Sequence, residues 1–394
     1  MMKGAELQNP ESALAQRADR NQVVDSFRGL ASLSVVLSHT YCLVLTAGFP
    51  SADRLNSYIG PSMEYLFLGS SVYFMVITGF ILATKLPEWQ KSKQGLLIKA
   101  LQRVTKILVV YWAAVGIYIL LNFLKQSITG TPWIPFHWES VISQLFLIPN
   151  FRTTPIYVAP AWYLQADMII FLLVVAIYMM WEEMPAYWRG KLRPLVFVCM
   201  VPLLALCLYV ENLGLSSELP FSAVRLLLYF FLGFLAVQAQ RSKSALLVFA
   251  LLVLTMFICS DQAWLNNRFY TNAAISLAFF ILLSHYSTSL QNLLKHPIMK
   301  KLYQWNFSIF LLHWIILLIA TSVARHLVPN SVAGLMVVIV CALATLFVAA
   351  MLFEKYIQKS VLRWHDAVSA YCLQAPKASS AGDKPLASMI VQGH

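Results

Sequence analysis

The sequence has 394 residues, of which 59% are hydrophobic and only 12% are charged. A soluble domain carries about 25% charged residues, so this composition excludes a soluble surface of matching size. The net charge of +12 would indicate nucleic-acid binding only if the basic residues clustered on one folded face, and they are spread among the loops instead.

Apolar stretches recur along the whole chain and match the length needed to cross a hydrocarbon core about 30 Å thick. They lack the two-residue alternation of a membrane β-barrel, and backbone groups in lipid need internal partners, so helices are expected. We predict an all-α bundle of about ten spans, at residues 27–47, 64–84, 107–123, 162–181, 193–210, 222–239, 244–259, 270–286, 307–324 and 332–352. The shortness of 244–259 and the basic start of the third span leave the count open by one.

The basic residues predict the topology. With the N-terminus inside, 22 Lys and Arg lie on the cytoplasmic side and 5 on the opposite side. The positive-inside rule therefore predicts that both termini are cytoplasmic. Residues 1–26 would form a cytoplasmic segment without a signal peptide, 27–360 the membrane domain, and 361–394 a flexible tail. In the long outer connection, the stretch from Trp138 to Pro149 predicts an interfacial or re-entrant helix.

Five of the six cysteines lie inside apolar runs and none forms a C-x-x-C pair. This pattern predicts neither a disulfide framework nor a metal site. The chemistry is therefore expected to come from ionisable side chains within the spans, where each is expensive to bury.

The first span contains two such residues, Arg28 and His39, eleven residues apart. This spacing is close to three helical turns, so both lie on one helix face with Ser32, and His39 lies about 16 Å deeper. Imidazole titrates near neutrality, which favours His39 as a general base that takes a proton from an alcohol. The alternative is a histidine that only hydrogen-bonds to a neighbouring helix.

Three basic residues lie near predicted cytoplasmic ends of spans: Arg28, Arg103 and Lys106. Arg103 and Lys106 are three apart, so they project from one helix face and are suited to bind phosphates of an acyl donor. Ordinary positive-inside topology explains them equally well, so motif context is needed.

Several segments supply that context in a fixed order. They are Arg28-Gly29-x-Ala31 with His39, the aromatic run to Thr78-Gly79-Phe80, Arg103-x-x-Lys106 with Tyr111-Trp112, Trp162-x-Leu164-x-x-Asp167, Arg225 with Phe231-Leu232-Gly233, and Ser308 to His313. Together they resemble the acyltransferase 3 family of integral membrane acyltransferases. The resemblance implies a ten-helix enzyme that transfers an acyl group, usually acetyl from acetyl-CoA, to a hydroxyl. It also implies a catalytic role for His39 and a donor-binding role for Arg28 and Arg103.

Lys106 stands where the family often has a second arginine, and it keeps the charge without the bidentate fork. Thr78, Trp162, Asp167, Ser308 and His313 are expected to bind the acceptor or to be structural. Asp167 is predicted near the outer face, either binding acceptor or paired with Arg225. His313 would support packing or orient a second group, with direct chemistry as the alternative. Trp162 is equally consistent with an interface anchor.

These expectations combine into a membrane O-acyltransferase of a bacterial inner membrane. It would take its acyl group from cytoplasmic acetyl-CoA or another acyl-CoA, without a bound cofactor, and modify a surface or exported carbohydrate or glycolipid. A glycan assembly complex is a further candidate partner. The predicted order in depth is basic residues inside, His39 in the middle and Asp167 outside. The alternatives are a secondary transporter of a small polar solute or acyl-group carrier, and a pseudoenzyme or scaffold.

Overall fold

The computed structural model describes residues 10–45, 47–67, 72–91, 95–146, 158, 161–188, 223–240, 242–260 and 268–374. Helices make up nearly all of these residues, and no strand occurs among them. The predicted all-α class is therefore confirmed. The predicted span at 193–210 lies outside the described residues.

We number the described α-helices in chain order. They are α1 (Pro10–Thr40), α2 (Pro50–Phe67), α3 (Val72–Gln90), α4 (Gly95–Thr129), α5 (Trp138–Leu145), α6 (Ala161–Glu183), α7 (Ala223–Ala239), α8 (Lys243–Ser260), α9 (Arg268–Tyr286), α10 (Thr288–Leu294), α11 (Pro297–Leu327), α12 (Val332–Leu352) and α13 (Lys359–Gln374). Two π-helical segments, Tyr41–Leu45 and Phe353–Gln358, follow α1 and α12 directly.

Within the described residues, five helical stretches are long and apolar enough to cross a membrane. They are Val23–Leu45, Gly95–Thr129, Tyr163–Glu183, Pro297–Leu327 and Val332–Ala370. A sixth candidate is the pair Asn272–Tyr286 and Thr288–Leu294, bent by 110°. The chain is thus a polytopic helical membrane protein, whereas the count of ten and the cytoplasmic termini stay predictions.

Of the predicted second span, 64–84, residues 64–67 form the end of α2, and residues 72–84 lie in α3, which continues to Gln90. The residues between these two parts lie outside the described structure, so the span as a whole stays a prediction. The side chains of α3 are largely buried inside the protein, as expected for a helix enclosed by others.

Helices α1 and α11 form a parallel pair. Ser32 Oγ donates a hydrogen bond to the Asn306 carbonyl (3.1 Å), and Thr321 Oγ1 donates to the Leu43 carbonyl (3.3 Å), so the numbering rises together along both helices. Gly29 allows the close approach, since a Cβ at this position would lie 2.9 Å from the Tyr303 nitrogen. This parallel arrangement agrees with the orientation that the sequence predicts for the two corresponding spans.

Helices α3 and α7 cross at two facing glycines. A Cβ at Gly79 would overlap the Phe230 carbonyl oxygen, and a Cβ at Gly233 would overlap the Val76 carbonyl oxygen. Small residues at such crossings let helix backbones approach closely, which is how membrane helices gain packing energy without a hydrophobic driving force. The crossing fixes α3, and with it the Thr78 side chain.

The segment predicted as a flexible tail begins with a helix. Helix α13 packs against the start of α4, where the Lys106 ammonium pairs with the Asp366 carboxylate (2.8 Å) and Thr105 Oγ1 hydrogen-bonds to His365 (2.6 Å). The local composition of this segment is polar. Its helix is attached to α4, which is far away in sequence, by these two contacts.

A short helix also lies where the sequence predicts an interfacial or re-entrant one. Helix α5 exposes Trp138, Ile142 and the following Phe146, which are spaced four apart and share one face. The Trp112 indole nitrogen of α4 donates to the Leu145 carbonyl (2.6 Å) and holds the end of α5 in place.

We expect Gly79→Ala to destabilise the protein by about 1–3 kcal/mol, because the added methyl overlaps α7 backbone that has no room to move. The measurement is the thermal unfolding midpoint of detergent-purified protein, together with the yield of monodisperse material. Gly116→Ala is the matched control, since Gly116 lies in α4 with nothing within 4 Å of an added Cβ. That variant should be neutral or slightly stabilised by helix propensity; equal behaviour of the two variants would contradict the crossing.

Candidate functional site

A cavity of about 210 Å³ lies among α1, α3, α4, α6 and α11. Its polar lining consists of Arg28, Thr78, Arg103, Tyr163, Asp167 and Asn306, and its other walls are aliphatic and aromatic. Each of the five helices contributes at least one of these side chains. The site therefore exists only when distant parts of the chain pack together.

The cavity brings together residues that the sequence placed at different depths. Asp167 was predicted near the outer face, away from the cytoplasmic Arg28 and Arg103, but all three line one cavity. Asp167 interacts electrostatically with both arginines. A buried carboxylate needs a nearby positive charge to offset its lost hydration. Arg103 of α4 and Arg28 of α1 provide this charge for Asp167 of α6. The predicted order of Arg28, His39 and Asp167 in depth is corrected accordingly.

Asp167 is held by more than charge. The hydroxyls of Thr78 and Tyr163 hydrogen-bond to its carboxylate, which is only 5% exposed. Its Oδ1 atom is buried and has no hydrogen-bond partner among the described residues. This oxygen is consequently available as an acceptor for a group that enters the cavity. The side chain of Arg225, the partner considered from the sequence, is outside the described part of the chain.

An aromatic ring also contacts the Arg103 guanidinium. Its Cζ atom lies 4.7 Å from the centre of the Phe171 ring, one helical turn beyond Asp167 on α6. A guanidinium over an aromatic face is stabilised by the ring quadrupole. The Arg103 side chain is therefore oriented toward the cavity before any ligand binds.

Two histidines meet beside the cavity. His39 Nδ1 lies 2.8 Å from His313 Nε2, and the ring centroids are 4.9 Å apart with planes inclined by 21°. His39 lies in the last turn of α1, directly before a π-helical segment, and His313 lies in the middle of α11. The sequence identified both histidines but not their contact, because the parallel packing of α1 and α11 brings together residues 274 positions apart.

One aromatic ring connects the cavity to the histidine pair. Phe310 lines the cavity, and its ring centroid is 6.0 Å from that of His313. Phe310 also packs against Phe74 (5.4 Å) and Tyr163 (6.0 Å), which line the cavity from α3 and α6. The charged cavity and the imidazoles are thus neighbouring parts of one site.

Other residues assigned from the sequence lie apart from the cavity. Lys106 is not among its lining residues and pairs with Asp366 instead. Ser308 is fully buried and donates to the Gln358 side chain (2.9 Å), which ties α11 to the π-helical segment after α12. Trp162 lies in the first turn of α6, and its side chain is outside the described part of the structure.

Sequence reasoning missed two residues of this region. Asn306 lines the cavity, and its carbonyl accepts from Ser32. The Tyr118 hydroxyl accepts a hydrogen bond from the Ile315 amide (2.8 Å) and donates to the Leu311 carbonyl (3.3 Å). Neither belongs to a motif, so no signal in the sequence distinguishes them from other polar residues in apolar helices.

A polytopic helical protein with a basic cavity beside one buried and one partly exposed imidazole has features expected of an integral membrane enzyme that transfers a group. Comparison with known families identifies it further: residues 21–354 match the model of the acyltransferase 3 family, described as an acyltransferase domain. The match covers most of the chain, which therefore belongs to this family and is a membrane acyltransferase. No curated protein and no solved structure matches the chain significantly.

We expect Asp167 and Arg103 to be energetically coupled. Asp167→Asn and Arg103→Gln should each lower the thermal unfolding midpoint in detergent, because each leaves a poorly compensated charge in the cavity. The double variant should be less destabilised than the two single effects predict, with a coupling of about 0.5–3 kcal/mol. Asp53→Asn, at an exposed position of α2, is the control. Additive effects of the two cavity substitutions would show that the residues do not interact.

Proposed function

We propose that this acyltransferase moves an acyl group, in the simplest case acetyl, from cytoplasmic acyl-CoA to a hydroxyl of a surface or exported carbohydrate or glycolipid. The observation that carries the proposal is the proximity of a cavity with two arginines to a half-buried histidine. The arginines can hold an anionic donor, and the histidine can activate a hydroxyl. Arg28 and His39 both lie on α1.

The cavity is suited to one part of the donor. Ligand pockets for drug-sized molecules commonly measure about 300–1,000 Å³, so a cavity of about 210 Å³ matches the phosphates and the adjoining part of the arm better than a whole coenzyme. The guanidinium groups of Arg28 and Arg103 are suited to bind phosphate oxygens, with which arginine forms charge-assisted bonds. The free Oδ1 of Asp167 can accept a hydrogen bond from an amide N–H of the arm.

His39 acts on the acceptor. It removes the proton of the attacking hydroxyl while the oxygen adds to the thioester carbonyl. The C–S bond of the resulting tetrahedral intermediate then breaks, an ester remains on the acceptor, and the thiolate of CoA takes the proton back from the His39 imidazolium. All atoms are accounted for by donor, acceptor and one imidazole, with no further cofactor.

The direction of transfer follows α1. Arg28 precedes His39 by about 16 Å along the helix axis, so the donor enters from the Arg28 end and the acceptor from the end where α1 becomes π-helical. The positive-inside assignment makes the first end cytoplasmic. In a bacterial inner membrane this geometry delivers the acyl group toward the periplasmic side, where a glycan assembly complex can present the acceptor.

We expect His39→Ala to abolish acyl transfer while the protein still folds and inserts. The measurement is mass spectrometry of surface glycans from cells that carry the wild type or the variant, with loss of an acyl mass as the readout. His365→Ala is the matched control, because it removes a histidine that contacts Thr105 away from the cavity. Wild-type acylation by His39→Ala would refute the mechanism, and solute uptake by proteoliposomes without any acyl donor would favour the transporter alternative.

We expect Arg103→Gln to raise the KM for acyl-CoA by about 10-fold or more, since a charged hydrogen bond contributes about 1.5–3 kcal/mol. The measurement is release of free thiol from acetyl-CoA by purified protein. Lys99→Gln removes a charge one helical turn earlier and controls for the general loss of positive charge. Lys106→Gln should raise KM less than Arg103→Gln, because Lys106 faces Asp366 and not the cavity; the reverse order would return Lys106 to the donor site.

A further inference from the structure

His313 makes a hydrogen bond that has only one possible direction. His313 Nδ1 lies 3.2 Å from the Ile309 carbonyl oxygen, one helical turn earlier in α11. A carbonyl oxygen only accepts hydrogen bonds, so Nδ1 of His313 carries the proton. In a neutral imidazole the other nitrogen is then an acceptor. Nε2 of His313 therefore presents a lone pair to whatever lies opposite it.

His39 lies opposite it. Its Nδ1 is 2.8 Å from His313 Nε2, and two acceptors at this distance would repel each other, so His39 Nδ1 is the donor. The proton of neutral His39 is thereby placed on Nδ1, and its Nε2 is left with a free lone pair. The backbone of α11 thus determines, through one imidazole, which nitrogen of the other can act as a base.

The His39 and His313 rings differ in burial, which suits them to different roles. His313 is completely buried, whereas His39 is partly exposed. Only His39 is positioned to meet a substrate. The edge contact of the Trp314 ring at 5.3 Å further restricts the orientation of the His39 ring.

The turn of α11 that carries His313 is hydrogen-bonded to a neighbouring helix. The Tyr118 hydroxyl bonds to both the Leu311 carbonyl and the Ile315 amide. These two groups would bond to each other in a regular α-helix, where N–H of residue i bonds to C=O of residue i−4. Tyr118 of α4 therefore links α11 to α4 on either side of His313 and limits rotation of that turn.

We propose that His313 is a positioning residue that holds His39 in the tautomer with a free Nε2 and stabilises the imidazolium formed when His39 accepts a proton. The inference rests on the proposed function of His39. It assigns to a neutral imidazole the part that a carboxylate plays in the Ser-His-Asp triad, which holds the histidine tautomer and orientation. A neutral partner avoids the burial of a second anion in addition to Asp167.

The direct test is nuclear magnetic resonance of full-length protein labelled with ¹⁵N-histidine in proteoliposomes, with His39→Asn and His313→Asn used to assign the signals. The nitrogen chemical shifts distinguish a protonated from an unprotonated ring nitrogen. We expect resting His39 to be protonated at Nδ1 only, and His313 likewise. Protonation of His39 at Nε2 in the neutral protein would overturn the proposal, whatever the activity of the preparation.

Three substitutions separate positioning from packing. His313→Gln keeps a carbonyl acceptor near the place of Nε2, His313→Asn has a side chain too short to reach His39, and His313→Leu keeps volume without polarity. We expect kcat for thiol release from acetyl-CoA to stay within about 10-fold of wild type for Gln. For Asn and Leu it should fall about 100-fold or more, with KM for acetyl-CoA unchanged. His365→Gln controls for loss of a buried histidine.

The outcomes are distinguishable. Full activity of a correctly folded His313→Leu, or equal loss of kcat in Gln and Leu with intact folding by size-exclusion chromatography, overturns the positioning role. A change in KM alone would overturn it too, because that result places His313 in donor binding. If wild-type protein releases no thiol and modifies no glycan while the Nδ1 protonation is observed, the proposed function fails and the histidine pair stands.

Discussion

The parallel packing of α1 against α11 is the constraint on which the rest of the site depends. Gly29 lets the two backbones approach at Leu302 and Tyr303, and the distance set there is continued by the Ser32 bond to α11 and by the contact between His39 and His313. A wider separation would break both polar contacts at once. In lipid, where apolar side chains gain little by leaving the solvent, such close packing and interhelical hydrogen bonds are the main attractive forces.

The charged cavity is built on this pair by the neighbouring helices. Helix α4 contributes Arg103, α6 contributes Asp167 and Phe171, and α3, fixed by its glycine crossing with α7, contributes Thr78. Two arginines and one carboxylate leave an excess of positive charge, which suits the anionic donor that we propose. The carboxylate interacts with the Arg103 guanidinium and helps to hold it at the cavity.

In the mechanism that we propose, the histidine pair orients the base without a carboxylate beside it. An aspartate behind His39 would add a second negative charge to the interior, at a cost of several kcal/mol unless compensated. In that proposal the Ile309 carbonyl, which is already present in the helix, accepts from His313, and the other nitrogen of His313 orients the His39 ring. The Tyr118 hydroxyl bonds to two backbone groups of α11 on either side of His313 and so links this turn to α4.

Much of this was predictable from sequence, for definite physical reasons. Hydropathy indicated the helical membrane class because bilayer thickness and backbone hydrogen bonding leave few other solutions. The spacing of Arg28, Ser32 and His39 on one helix face follows from 3.6 residues per turn, and the ordered motifs indicated the family and its histidine. These properties are local or are read from the order of residues along the chain.

The tertiary structure alone decided which residues meet. It places Asp167 in one cavity with Arg103 and not at the predicted outer side. It pairs Lys106 with Asp366 outside the cavity, and it brings His39 into contact with His313. It also places a helix, Lys359–Gln374, at the start of the segment predicted as a tail. Hydropathy and helical periodicity describe one helix at a time, whereas depth, rotation and neighbours are set by side-chain packing between helices far apart in the chain.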